Sequence, residues 1–162
     1  MASDPTLVVI DDDLYLSVAF SIVGLPAATN NEDPILIYQL PAGGTWNLFP
    51  KNGIHDSSQN AIYVRSFAQI FTYSDGYAVV GTDPKAGNIQ TYVPQRNSLP
   101  EHAWVKSDVK VAPLPALQLT TVKTNYPVSV VFYQGNPYIL YSDSTTNALS
   151  VISAVPIATT QG

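Results

Sequence analysis

FTYSDGYAVVGTDPKAGNIQTYVPQRNSLPEHAW, running from Phe71 to Trp104, contains two β-like runs joined by a dense turn. Tyr77-Ala78-Val79-Val80 is the first run and Ile89-Gln90-Thr91-Tyr92-Val93 the second. Between them, Gly81 to Asn88 gathers the Gly, Asp, Pro and Asn that close tight turns. Ser74-Asp75-Gly76 marks a hairpin just before the first run. A polar loop from Pro94 to Pro100 follows the second, and the stretch ends on Trp104.

The unit recurs on both sides. NPYILYSDSTTNALSVIS, from Asn136, repeats the pattern of GYAVVGTDPKAGNIQTYV, from Gly76: apolar run, turn with Asp, Asn, then an alternating strand. Upstream, LSVAFSIV from Leu16 leads through a longer loop to DPILIYQL, which ends at Leu40. Tyr38 and Tyr92 then take equivalent places, each followed after a polar loop by a tryptophan, Trp46 or Trp104. Three repeats of about 50 residues result, near 6–54, 60–112 and 117–156, within a single all-β domain. Antiparallel short-stranded repeats of this length are expected to be β-propeller-like blades, because a small sheet cannot bury both faces alone. A plain β-sandwich or barrel is the alternative. Three blades make half of a six-bladed ring, so a second copy closing the ring is the expected partner. The third unit lacks an outer strand, which Thr6 to Ile10 could supply.

Leu14 to Val23 reads as a strand with Leu14, Leu16, Val18, Phe20 and Ile22 on one face, and a mixed, half-buried face opposite. Thr45 to Phe49, Val109 to Val111 and Leu117 to Val122 are further strand candidates.

Composition supports the all-β class. Hydrophobic residues make up 46 % and charged residues 12 %, about half the usual charged share. Ten Tyr with many Val, Ile and Thr favour strands, and no window longer than about ten residues carries an apolar 3.6-residue period free of Pro, Gly or β-branched runs. The net charge of -5, with only Arg65 and Arg96 as arginines, argues against nucleic acid, which needs clustered cations. There is no cysteine, hence no disulfide framework, thiolate nucleophile or cysteine metal site. MASDPTLVV carries no secretory signal, and no apolar run is long enough for a membrane span. The compartment stays open between the cytoplasm and secretion.

Few residues offer catalytic chemistry. Asp11-Asp12-Asp13 reads as a solvated turn, since calcium loops space their ligands and include a Gly. His55 and His102 are the only histidines, and Asp56 beside His55 reads as part of a turn. Gly81 to Gly87 has the glycines of a phosphate loop without its G-K-[ST] ending, so it is a hairpin turn. No catalytic residue, metal or cofactor is expected. The aromatics Tyr38, Trp46, Tyr92 and Trp104 offer flat apolar faces beside polar groups, the combination that recognises a pyranose; filling the core is their competing role.

The segments Ile35 to Tyr38 with Trp46, and Ile89 to Tyr92 with Trp104, give the chain a resemblance to the fungal fucose-specific lectins. Those are six-bladed propellers with sugar sites between blades, each sugar held by an Arg, a Glu and an aromatic residue. The resemblance implies a lectin-like, non-catalytic glycan binder with Arg96, Glu101 and Trp104 as one such trio. The chain departs from the pattern elsewhere, having two Arg in all and only Glu32 and Glu101 as Glu. An enclosed-pocket enzyme acting on a hydrophobic metabolite, a cyclase or isomerase, is the alternative function.

Overall fold

The computed structural model describes residues 5–19, 32–48, 54–65, 67–74, 76–95, 103–107, 122–124, 126 and 128–156. They form twelve strands in three antiparallel sheets, with no helix among them. The all-β expectation holds. The first sheet runs β1 (Thr6–Ile10), β2 (Asp13–Ala19), β3 (Glu32–Leu40) and β4 (Asn47–Leu48), with β5 (Tyr63–Arg65) pairing the start of β3. The second runs β6 (Ala68–Tyr73), β7 (Gly76–Thr82), β8 (Ile89–Pro94) and β9 (Trp104–Ser107). The third runs β10 (Ser129–Tyr133), β11 (Asn136–Ser142) and β12 (Leu149–Ser153). All three sheets are open; no closed barrel forms among the described residues.

Local chemistry explains the meanders. Each sheet starts with a two-residue hairpin, closed by the pairs Ile10–Asp13, Tyr73–Gly76 and Tyr133–Asn136. The loop residues Asp11 and Asp12 have φ of 49° and 68°, and Gln134 and Gly135 have 49° and 77°, the left-handed values a type I′ turn requires. The aspartate run is thus a hairpin turn, as its composition indicated.

The next turn is also shared. Asp83 Oδ1 accepts from the N–H of Lys85 and Ala86, at 3.0 and 2.8 Å, while Gly87 N–H donates to Asp83 O. Asp143 Oδ1 accepts in the same way from Thr145 and Thr146, at 2.7 and 3.1 Å, and Asn147 N–H donates to Asp143 O. Gly87 and Asn147 close the two turns at φ of 71° and 55°, a region that Gly and Asn enter most easily.

The sheets stack in chain order. Tyr15, Ile35 and Ile37 of the first sheet pack with Ile70, Val79 and Tyr92 of the second. Phe71, Ala78, Val80 and Val93, on the second sheet's other face, pack with Ile139 and Tyr141 of the third. The middle sheet is therefore covered on both faces, and each fully buried aliphatic side chain contributes about 1.5–3 kcal/mol. Hydrogen bonds reaching the first strand of the next sheet mark both joints. Ile70 N–H donates to Thr6 Oγ1 and Ser17 Oγ, at 3.2 and 2.8 Å; Val130 N–H donates to Gln69 Oε1 at 2.9 Å.

Two expectations are corrected. Thr6–Ile10 does not complete the third sheet: it pairs along its length with β2, because the tight Asp11-Asp12 turn holds the two together. In β2 the buried face is Tyr15, Ser17 and Ala19, whereas Leu14, Leu16 and Val18 are only half-buried. The mixed face is the one that packs on β6, where Ser17 Oγ accepts from Ile70 N–H; among the described residues no other sheet lies against the leucine face, on which Leu36 is nonetheless buried. Among the described residues of the Thr45 to Phe49 candidate, Asn47–Leu48 is strand; Phe49 lies outside them. Phe20 to Val23, Val109 to Val111 and Leu117 to Thr121 lie outside the described residues.

Candidate functional site

A cleft of about 500 Å³ opens at the outer edge of the second sheet. Three pieces of chain shape it. The first is the link from Ile54 to Ile62, secured to β3 by Ile54 N–H to Ile35 O at 3.0 Å. It is also secured to β9, through Trp104 N–H to His55 O at 2.8 Å. The second is the Asp83 turn between β7 and β8, and the third is β9 itself.

Tyr92 and Trp104 lie at the base of the cleft, with Tyr63 beside them. Asp56, Ser57, Asp83, Lys85 and Lys106 supply the polar lining. Asp56 folds the link locally by accepting from Ser58 N–H, Asn60 N–H and Asn60 Nδ2, at 2.8, 2.9 and 3.2 Å. Lys106 Nζ lies 3.5 Å from Asp83 Oδ2, an exposed pair worth at most about 1 kcal/mol. Lys106 is thus available to a ligand, whereas Asp56 and Asp83 already hold their own turns and offer only their remaining lone pairs.

The carboxylates are held ionised. Donation from Asn60, led by its backbone N–H, lowers the Asp56 pKa. For Asp83, partial burial works in the opposite direction, but the Ala86 and Lys85 N–H groups and the Lys106 ammonium outweigh it and lower its pKa. Burial, and then the Asp83 charge, push the Tyr92 phenol well above its ordinary value, so its hydroxyl stays neutral. The cleft combines carboxylate acceptors, ammonium donors, a serine hydroxyl and aromatic edges. That set suits a small polyhydroxylated ligand. Among the described residues, no three His, Asp or Glu side chains gather to hold a metal ion.

The residues singled out from sequence separate into three groups. Tyr92 and Trp104 come together, but both are only 2 % exposed and belong to the core between the first two sheets. The Trp104 indole meets the Tyr77 ring edge-on, with centroids 5.8 Å apart, and Tyr77 stacks on Tyr15 at 6.1 Å. Tyr38 occupies the matching register one sheet earlier, with Trp46 just before β4. Tyr38 pairs Leu16 and Leu48 as Tyr92 pairs Val79 and Lys106. Their face looks away from the second sheet, and Trp46 is 45 % exposed. Arg96 and Glu101 lie outside the described residues. Asp56, Ser57, Tyr63, Asp83, Lys85 and Lys106 were missed as site residues. Asp83, Lys85 and Asp56 sit in stretches recognised only as turns, and no local pattern says that the link and the β7–β8 turn share one cleft.

No family model, curated protein or solved structure matches the chain.

Proposed function

We propose that the three sheets are blades of a β-propeller and that the chain is a carbohydrate-binding, lectin-like protein without catalysis. The carrying observation is the cleft beside Tyr92 and Trp104, where Asp56, Asp83, Lys85 and Lys106 surround aromatic edges at a joint between two sheets. A pyranose offers hydroxyls that both donate and accept, and one apolar face. Asp56 and Asp83 accept from such hydroxyls, Lys106 and Ser57 donate to them, and the half-buried ring of Tyr63 meets the C–H face. Stacking in chain order with two shared turn types supports the blade reading. The charged lining weighs against an enclosed site for a hydrophobic metabolite.

A glycan array on the purified protein, with free fucose as competitor, tests the reading. Lys106→Ala removes an exposed side chain from the cleft, so it should lower binding at least about tenfold while leaving the unfolding transition in place. A blank array from folded protein, or binding that Lys106→Ala and Tyr63→Ala both leave unchanged, refutes this site.

A further inference from the structure

We infer that a second copy of this chain closes the stack, the third sheet of each copy packing on the first sheet of the other. Closure rests on reading the sheets as blades, and not on the ligand.

Both internal joints follow one rule, and the two outer faces, which no sheet covers among the described residues, are the unmatched halves of a third. The position four residues before each opening hairpin is Thr6, Gln69 or Ser129. Thr6 Oγ1 accepts from Ile70 N–H and Gln69 Oε1 accepts from Val130 N–H, the residue three before the hairpin in the next sheet. Ser129, which is exposed, carries the next acceptor in the series. The matching donor is Leu7 N–H. Ile10 and Asp13 close a two-residue hairpin, so hydrogen-bonded and non-bonded pairs alternate back from them. Leu7–Leu16 falls on a non-bonded pair, which turns the Leu7 N–H away from β2. Ser129 Oγ therefore accepts from Leu7 N–H of the second copy.

The free faces fit this role. On the first sheet the ladders Leu7–Leu16–Tyr38–Leu48 and Val9–Leu14–Leu40 carry no charge, with Leu7 59 % and Val9 63 % exposed; in the third ladder of that face, Val18–Leu36, Leu36 is already buried, so the open part is the end nearest the hairpin. On the third, Ser129–Leu140–Val151 and Ser142–Leu149 are equally uncharged, and Leu149 is 73 % exposed. Roughly 100 Å² from each of Leu7, Val9, Val131, Tyr133, Leu149 and Val151, over two joints, reaches about 1,200 Å², the lower end of a specific interface. The joint is heterologous, so it closes only as a ring. Propellers have roughly 4–8 blades; with three sheets per chain, two copies are the only number that fits. Tyr38 and Trp46 then take the positions of Tyr92 and Trp104, so each closing joint carries an aromatic-based cleft built from two chains.

Sedimentation velocity on the ligand-free full chain should give twice the chain mass of 17.5 kDa. Leu149→Lys and Val9→Lys should each yield a folded monomer, because each spoils both joints of the ring. Ser129→Ala should weaken association roughly five- to tenfold. Dilution of the wild type should shift tryptophan emission to the red as Trp46 becomes exposed, a readout that needs no variant. A wild-type monomer at all concentrations, a dimer indifferent to Leu149→Lys, or masses beyond the dimer each overturn the proposal. A dimer with a blank glycan array would leave closure standing and remove only the sugar reading.

Discussion

Replacing Trp104 by alanine separates a ligand platform from a core residue. The indole is 2 % exposed, meets Tyr77 edge-on at 5.8 Å, and sits in the cluster with Tyr15, Val79 and Tyr92. Truncating a buried Trp costs about 3–5 kcal/mol, because the lost transfer energy is joined by the cavity left behind. The aromatic pair with Tyr77 accounts for about 0.5–1.5 kcal/mol beyond burial, which places the expected loss in the upper half of that range. For an m-value near 2 kcal/mol/M the urea midpoint should fall by about 2 M. A domain with total stability of about 5–15 kcal/mol survives this, though with little reserve. The assay is equilibrium urea unfolding followed by far-UV circular dichroism, run in the Leu149→Lys background so that association does not contribute. Trp46→Ala, at an exposed position, should stay within about 0.5 kcal/mol of that background. A Trp104→Ala loss below about 1 kcal/mol, or a loss no larger than that of Trp46→Ala, would refute the placement of the indole in the core.

Further outcomes follow from the same contacts. A Cβ on Gly81 would run into Val64 Cγ1 and lie 3.1 Å from Val64 Cβ, so Gly81→Ala should cost about 1–3 kcal/mol by overpacking; an unchanged melting temperature would contradict this close approach. Asp56, Asp83 and Asp143 all have lowered pKa values; for Asp143 the first cause is the Thr145 N–H and the second the Thr146 N–H. Each therefore adds stability above the ordinary carboxylate pKa of about 4, lost as pH falls through the lower folded value. Asp143→Asn keeps an acceptor but not the titration, so its denaturation midpoint should depend less on pH in acid; coincident acid profiles for wild type and variant would exclude the linkage. Burial, followed by the charges of Tyr15 and Asp11, pushes Tyr77 up to about 12. Its contribution is complete below pH of about 10 and is lost as pH rises through the folded value. Tyrosinate absorbance in an alkaline titration should show a late step that Tyr77→Phe removes; an unchanged titration curve would place Tyr77 in water.

Locally encoded features were legible before any coordinates. Asp11-Asp12 and Gln134-Gly135 set hairpins through turn chemistry, and Asp83 and Asp143 set matching Asx turns, because these bonds form between residues two to four apart. Alternating apolar runs then indicated strand type, and the repeated apolar pattern placed Tyr38 and Tyr92 at equivalent register positions. What lies across a joint depends on residues more than 50 positions apart, such as Ile70 N–H on Ser17 Oγ, and no short window contains such a pair. For this reason the sequence could not say that Tyr15, Ser17 and Ala19 would be buried while the leucines opposite stayed half-open, nor that Trp104 would be buried and Trp46 exposed. The cleft likewise arises where the Asp56 link crosses a turn from the next sheet. Chain-local hydrogen bonding and alternation determine the strands and turns by themselves; only the stacking of one sheet on another, a cooperative burial of distant faces, decides which aromatics are core and which stay exposed.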